Sequence, residues 1–341
     1  MVSPDSIEEL QEIVASSSQV KALGTRHSFS KVADTEGVLV STTRLNRVLD
    51  LEHRTGQVWV EGGTSYGELS RVIDREGFAL PNMASLPHIS VAGACATATH
   101  GSGEENPCLA GSVAEVEIVR ADGEVATLRR GDLDFSGAVV GLGALGILTR
   151  IKLDLVPARP MCQYVFEALP LETAIAHFDE IQTMAYSVSL FTRWQNSTID
   201  QVWLKYWGER PGQPNLYGAR AADGDRHPIP EASAIHCTPQ MGEAGPWFER
   251  LPHFRMDFTP SNGEELQSEY LIPRRYAREA LRTVNTLGPR LAPYLHISEV
   301  RTVASDDFWM SPFYLEPSVA IHFTWRKDWT GVSQLLPILE D

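Results

Sequence analysis

The sequence predicts an α+β fold. Strand-like segments outnumber helices, and the helices fall among them irregularly, which argues against a repeating βαβ array. The single glycine pattern of dinucleotide-binding type runs into a strand, not a helix. After Pro160 the chain becomes richer in tryptophan and other aromatics, so two domains are expected, at 1–158 and 159–341. A length of 341 residues suits two domains, and 43% hydrophobic against 21% charged side chains is ordinary globular usage.

The elements follow in order. Ser6 stands three residues before Glu9, a capping-box spacing, and Ile7, Leu10, Ile13 and Val14 then form one apolar stripe, so the chain opens on a helix. Strands are expected at 20–23, 38–41, 47–51 and 57–61, with the polar loop Gly24-Thr25-Arg26-His27-Ser28-Phe29-Ser30 after the first. Gly62-Gly63-Thr64-Ser65 turns the chain into a helix carrying Tyr66, Leu69, Val72 and Ile73, with Ser65 as its cap. Small residues fill 90–103. Val113 to Val119 and Val125 to Leu128 read as a hairpin around Arg120-Ala121-Asp122-Gly123, and 146–156 reads as a strand ending at Pro157. Beyond Pro160, strands are expected at 187–194, 201–207, 296–303 and 319–326, and helices near 171–184 and 274–287. Residues 208–230, rich in Pro, Gly, Asp and Arg, read as a surface loop.

Charge and cysteine usage exclude several functions. The chain has 29 basic and 44 acidic side chains, a formal charge of −15 without a basic block, which disfavours nucleic acid and anionic membrane surfaces. No apolar run approaches a membrane span, and the N-terminus shows no secretion signal. Cys95, Cys108, Cys162 and Cys237 are widely spaced and make no CxxC pair, the usage of a reduced, cytoplasmic protein without a zinc site. The histidines contain no HExxH, so no metal is expected.

Gly141-Leu142-Gly143-Ala144-Leu145-Gly146 matches G-x-G-x-x-G, but a nicotinamide site needs a helix opening from it. Here Ile147, Thr149, Ile151, Leu153 and Leu155 alternate with Leu148, Arg150, Lys152 and Asp154, the period of a strand. The glycines then serve a tight turn, or bare backbone that lets an adenine or ribose approach. The loop 24–30 and the run 90–103 expose backbone N–H groups beside hydroxyls, as anion-binding concavities do. Close-packed turns would use the same residues.

Asn82-Met83-Ala84-Ser85-Leu86-Pro87-His88-Ile89-Ser90-Val91-Ala92-Gly93, continuing through Thr99-His100-Gly101-Ser102-Gly103, resembles the flavin-binding segment of the vanillyl-alcohol-oxidase-type flavoproteins. Gly24 to Phe29 resembles their first pyrophosphate loop. Within that family the chain is similar to alditol (xylitol) oxidases, relatives of the sugar-lactone oxidases, through 187–192, 201–205, 266–271, 299–304 and 322–325. The resemblance implies a two-part FAD-binding domain of PCMH type, then a substrate domain with an antiparallel sheet flanked by helices. Chains of that family begin with a further short segment and continue past Asp341, so a C-terminal segment returning to the FAD domain is expected to be missing here.

The resemblance implies FAD held by Gly24, Thr25, Arg26, His27, Ser28, Ser85, Ser90, Gly93, Thr97, His100, Gly101, Ser102, Gly146 and Ile147. It also implies a covalent bond from His27 to the flavin 8-methyl carbon, for which a neutral imidazole is a competent nucleophile. Cys95 and Cys108 read as small buried residues, not as second attachment points.

Glu299 and Arg301 are two apart in a strand and share a face, as do His322 and Thr324 opposite the apolar set Val319, Ile321, Phe323 and Trp325. Taken alone, each pair suits a solvated face with a surface ion pair of little energetic value. The resemblance implies instead that Arg301, His322 and Glu299 are catalytic and that Ser85 and Thr324 bind substrate. The implied reaction oxidises a terminal hydroxyl of an alditol to the aldose and reduces oxygen to hydrogen peroxide, on a monomer whose partners are polyol and oxygen. A sugar-1,4-lactone oxidase or dehydrogenase and a non-catalytic flavin-binding remnant are the alternatives.

Overall fold

Ser6 Oγ accepts the Glu9 N–H at 3.1 Å and starts α1 (Ile7–Ser16), whose Ile7, Leu10 and Val14 are buried. The computed structural model describes residues 1–208, 216–257 and 264–341, and its chain divides into two units. The first comprises Met1–His100, Pro107–Ala158 and Asp306–Leu315; the second comprises Gly101–Asn106, Arg159–Ser305 and Glu316–Asp341.

In the first unit α1 is followed by β1 (Val20–Leu23), β2 (Val38–Ser41), β3 (Val48–Glu52), β4 (Gln57–Glu61) and α2 (Tyr66–Arg75). Then come β5 (Phe78–Ala79), α3 (Val91–Ala96), β6 (Val113–Val119), β7 (Val125–Arg129), α4 (Phe135–Val139), β8 (Ile147–Asp154) and β9 (Val156–Pro157). β1 and β2 pair in parallel, and an antiparallel sheet runs β3-β4-β8-β6-β7. The 113–128 hairpin forms as its periodicity predicts. α2 carries a complete capping box between Ser65 and Glu68. The strand expected over 146–156 ends early: the Leu155 N–H donates to the Gly56 carbonyl, and β9 pairs with β5 instead. No helix follows Gly146. β8 pairs on both sides, with β4 and β6, which removes the nicotinamide site.

The second unit contains β10 (Met161–Pro170), α5 (Leu171–Ala176), α6 (Phe178–Gln182), β11 (Ser187–Thr192), β12 (Thr198–Trp207) and β13 (Arg220–Ala221). It continues with β14 (Glu265–Pro273), α7 (Ala277–Leu291), β15 (Leu295–Val303), β16 (Ser318–Arg326) and α8 (Trp329–Glu340). All of these strands join one antiparallel sheet, ordered β13-β10-β12-β11-β15-β16-β14. The single helix expected over 171–184 is two, because His177 leaves helical backbone at φ −108° and ψ 27°. Within the surface loop expected at 208–230, Arg220–Ala221 is β13, and 209–215 lies outside the described residues.

Side chains on a strand alternate between faces, and the register decides what each face of this sheet carries. One face is the apolar core: Val188, Leu190, Val202, Leu204, Val300, Val319, Ile321, Phe323 and Trp325 pack with Leu171 and Ile175 of α5, Leu281 of α7 and Leu335 of α8. The opposite face brings together, strand beside strand, Ser187 with Lys205, Ser189 with Arg301, Phe191 with Glu299, and Glu299 with His322. Beside these groups, Cys237 packs with Val165, Phe191, Trp203 and Ile297.

Candidate active site

The first unit gathers part of the expected cofactor loop set around Ser90. The Ser90 N–H donates to Thr25 Oγ1 at 3.2 Å, and Thr25 Oγ1 lies 3.0 Å from His27 Nδ1. Gly24 and Gly93 let backbone close in: a Cβ on either would stand 2.7 or 2.9 Å from Ser90 Oγ. Ser90 precedes α3 yet makes no capping bond, and its buried Oγ has no hydrogen-bond partner among the described residues. Asn82 Nδ2 is buried and unpartnered in the same sense, while Asn82 Oδ1 accepts the Met83 N–H. Such groups are costly to bury unless something satisfies them. Burial, then the neighbouring His88, lowers the pKa of His27 and keeps its half-buried ring neutral at physiological pH.

Other expected cofactor residues take distinct places. Arg26, with φ of 61°, and Ser28 are exposed in the loop; Ser85 is half-buried in the segment before Ser90. Thr97 Oγ1 donates back to the Gly93 carbonyl, and His100 packs edge-on against Phe313. Gly146 has φ of 140°, and the Ile147 side chain is taken up by the core around Ile7, Leu10 and Val14. Gly101 and Ser102 belong to the second unit, where Ser102 Oγ lies 2.6 Å from Ser187 Oγ.

In the second unit Glu299 and Arg301 do share a face, and the surface ion pair is excluded. They are 6% and 7% exposed. Glu299 Oε1 lies 3.7 Å from Arg301 Nε, outside hydrogen-bonding distance, and Arg301 Nη2 instead donates to Glu269 Oε1 on the edge strand β14 at 2.6 Å. Arg301 Nε is buried without a hydrogen-bond partner among the described residues. Glu299 takes its hydrogen bond from His253 Nε2 at 2.9 Å. Burial pushes the Glu299 carboxyl up, but Arg301, His253 and His322 outweigh it and hold the group well below the usual carboxylate range. Arg301 itself loses by burial but is raised by Glu299 and Glu269, so both stay charged. His322 and Thr324 sit one beside the other on the same face, half-buried, with His322 Nε2 3.2 Å from Gln267 Oε1.

Sequence reasoning missed Glu269, Lys205 and His253. Glu269 shares a face with Gln267, opposite Leu266, Ser268 and Tyr270, and Lys205 shares one with Trp203 and Gln201, so the period-two pattern held a signal for both. His253, in an irregular segment 46 residues before Glu299, had none.

Residues 1–129 match the FAD binding domain family. An alditol oxidase from a Streptomyces species is 47% identical over 99% of this chain and 81% of its own length. The L-gulono-1,4-lactone dehydrogenase of Mycobacterium tuberculosis is 30% identical over 94% of this chain and 79% of its own. The L-gulonolactone oxidase of Mus musculus is 33% identical over 45% of this chain and 36% of its own. Identity at this level along nearly the whole chain takes in both the Ser90 cradle and the strands that carry Glu299, Arg301, His322 and Thr324. The chain belongs to the alditol oxidase family of FAD-dependent oxidoreductases.

Proposed function

We propose that this protein oxidises a terminal hydroxyl of an alditol such as xylitol or sorbitol to the aldose, reducing oxygen to hydrogen peroxide. The observation that carries the reading is the buried, charged pair Glu299–Arg301 on one sheet face with Glu269, His322 and Thr324. A neutral polyol offers many hydroxyls, and a fixed array of donors and acceptors discriminates for them. A buried pair of this kind is costly unless further hydrogen bonds satisfy it, and Arg301 Nε makes none among the described residues.

Residues 1–158 hold FAD and residues 159–341 hold substrate in this reading. Ser90 Oγ and Asn82 Nδ2, unpartnered among the described residues, and the space that Gly24 and Gly93 keep free of Cβ atoms fit a polar cofactor group. Thr25, Arg26, Ser28, Thr97, His100, Gly101, Ser102 and the Gly146–Ile147 backbone complete the set, and the neutral His27 is the covalent attachment point. FAD, when bound, supplies the two-electron acceptor. Arg301 holds the carbinol oxygen through its free Nε–H and favours the negative charge that develops there. His322 takes the hydroxyl proton. Glu299 fixes the charge state of the pair, and Ser85 and Thr324 bind further hydroxyls. The reading includes a cytoplasmic monomer, and the four free, buried cysteines, which suit a reducing compartment, support the location.

The test is anaerobic flavin bleaching by xylitol and sorbitol against L-gulono-1,4-lactone, with peroxide measured on re-oxygenation. Faster reduction by an alditol supports the reading. Faster reduction by the lactone moves the protein to the lactone-oxidising branch, and reduction by neither marks a flavin-binding remnant.

A further inference from the structure

Behind Glu299 stands a buried relay that the reaction scheme above leaves unused. His253 Nε2 faces Glu299 Oε1, and its other ring nitrogen, Nδ1, lies 3.0 Å from Lys205 Nζ. Lys205, on β12, also donates to the Leu251 carbonyl at 2.5 Å. Below about pH 7 Lys205 is an ammonium with donors only, so Nδ1 accepts and the ring proton sits on Nε2, aimed at the carboxylate. Phe191 and Trp203 hold the ring edge-on at 5.5 and 5.0 Å between centroids. Lys205, His253 and Glu299 are 1%, 4% and 6% exposed. Among the described residues Lys205 has no carboxylate in direct contact, a costly arrangement for a lysine whose register partners are the neutral Gln163 and Ser187.

Resting on the function proposed above, we infer that Lys205 and His253 are positioning residues: they lock the imidazole tautomer that keeps Glu299 ionised and in place beside Arg301. Neither touches the reacting atoms. The charged and titratable groups around the relay are Arg301 on β15, His322 on β16, Glu269 on β14 acting through Arg301, and Cys237 beside Trp203. Burial pushes the Cys237 thiol up to about 12, so it is neutral. Burial, reinforced by Lys205, draws His253 down to about 4, in keeping with the geometry of a neutral ring.

Two measurements test the relay. In holoprotein labelled with 15N-histidine, the His253 signals are those lost in His253→Gln. From pH 5 to 7 they should show Nε2 protonated and Nδ1 bare, and in Lys205→Met, without the donor and its charge, the same ring should take up a proton within that range. A native His253 that titrates between pH 5 and 7, or carries its proton on Nδ1, overturns the proposal. This readout stands even if no alditol is oxidised, so it separates failure of the relay from failure of the assigned reaction. The second measurement is the pH profile of flavin reduction by xylitol. His253→Leu should keep its flavin, reduce it about ten- to a hundredfold more slowly, the loss of one hydrogen bond to a charged group, and shift the acid limb to higher pH. His253→Gln, which retains a neutral N–H donor, should recover part of the rate. If His253→Leu does not fold, Lys205→Met decides: it should add an ionisation between pH 5 and 7. Profiles that match the native one in shape show a purely structural role and refute the relay.

Discussion

At the scale of single residues the proposed chemistry rests on charge held at buried positions. Arg301 has one nitrogen committed to Glu269 and one buried nitrogen free of hydrogen bonds among the described residues, so a ligand oxygen meets a donor already fixed in direction. An interaction that strengthens as negative charge develops lowers the rate more than the affinity when it is removed. Arg301→Ala should bind flavin normally and reduce it about a hundredfold more slowly, roughly 3 kcal/mol for one oriented donor. Arg301→Lys keeps the charge but not the planar fork and should recover only part. Stopped-flow bleaching with saturating xylitol measures both, and a native rate in Arg301→Ala would remove the residue from the reaction. His27 belongs to the same scale. Its ring is neutral because it is half-buried and stands near His88. His27→Ala should leave flavin bound in the native protein but extractable by acid, whereas the native protein should stay yellow in the acid pellet. Complete release of flavin from the native pellet would show that the bond does not exist.

At the scale of elements, two serines before two helices have opposite tasks. Ser65 closes a capping box: its Oγ accepts the Glu68 N–H at 3.2 Å and also donates to Glu68 Oε2 at 2.7 Å. Ser65→Ala should therefore destabilise the fold by about 1 kcal/mol. Ser90 precedes α3 but makes no side-chain capping bond, and its buried Oγ lacks a partner among the described residues. Ser90→Ala removes an unsatisfied group, so the flavin-free protein should lose no stability while flavin affinity falls. The comparison is made in the His27→Ala background, where flavin exchanges, by thermal unfolding with and without FAD. Equal destabilisation of the flavin-free protein by both substitutions would show that Ser90 is an ordinary structural serine. The same scale explains the sheet. Register alone gives one face to the core and the other to polar groups, and a one-residue slip of β15 would put Ser298 and Val300, or Val300 and Thr302, where Glu299 and Arg301 now stand.

At the scale of the whole molecule the second unit couples stability to pH. Burial draws Lys205 from its ordinary 10.5 down to about 7. Between those values the unfolded chain binds more protons than the folded one, so this group makes stability rise with pH over that window. His253, drawn down to about 4, acts in the same direction between pH 4 and 6.5. Glu299 does so below its ordinary 4.5, because its stabilisation is lost as pH falls through its depressed folded value. Lys205→Met abolishes the upper window. The melting temperature of the native protein should gain on that of Lys205→Met as pH goes from 7.5 to 9.5. A constant difference between the two would mean that Lys205 titrates in the fold as it does in water. Among the described residues no helix is long and apolar enough to cross a membrane.

Features that depend on neighbours along the chain are legible in the residues alone. Caps at Ser6 and Ser65, the 113–128 hairpin, the strand after Gly146 and the shared face of Glu299 and Arg301 all follow from spacing, because helix and strand periods act over a few residues. The flavin loops were legible as a resemblance carried by a long contiguous segment. Tertiary structure alone decided the rest. Whether Glu299–Arg301 is a surface pair or a buried one depends on which segments cover the sheet, and that covering comes from residues tens of positions away. His253 reaches Glu299 from an irregular segment, and Lys205 reaches His253 from 48 residues earlier, contacts that no local period encodes. The break of 171–184 at His177 is decided in the same way, where the ring stacks on Tyr217 at 4.2 Å and local propensity alone would continue the helix. Propensity acts within a turn or two, whereas burial and charge pairing depend on every segment that the fold brings together.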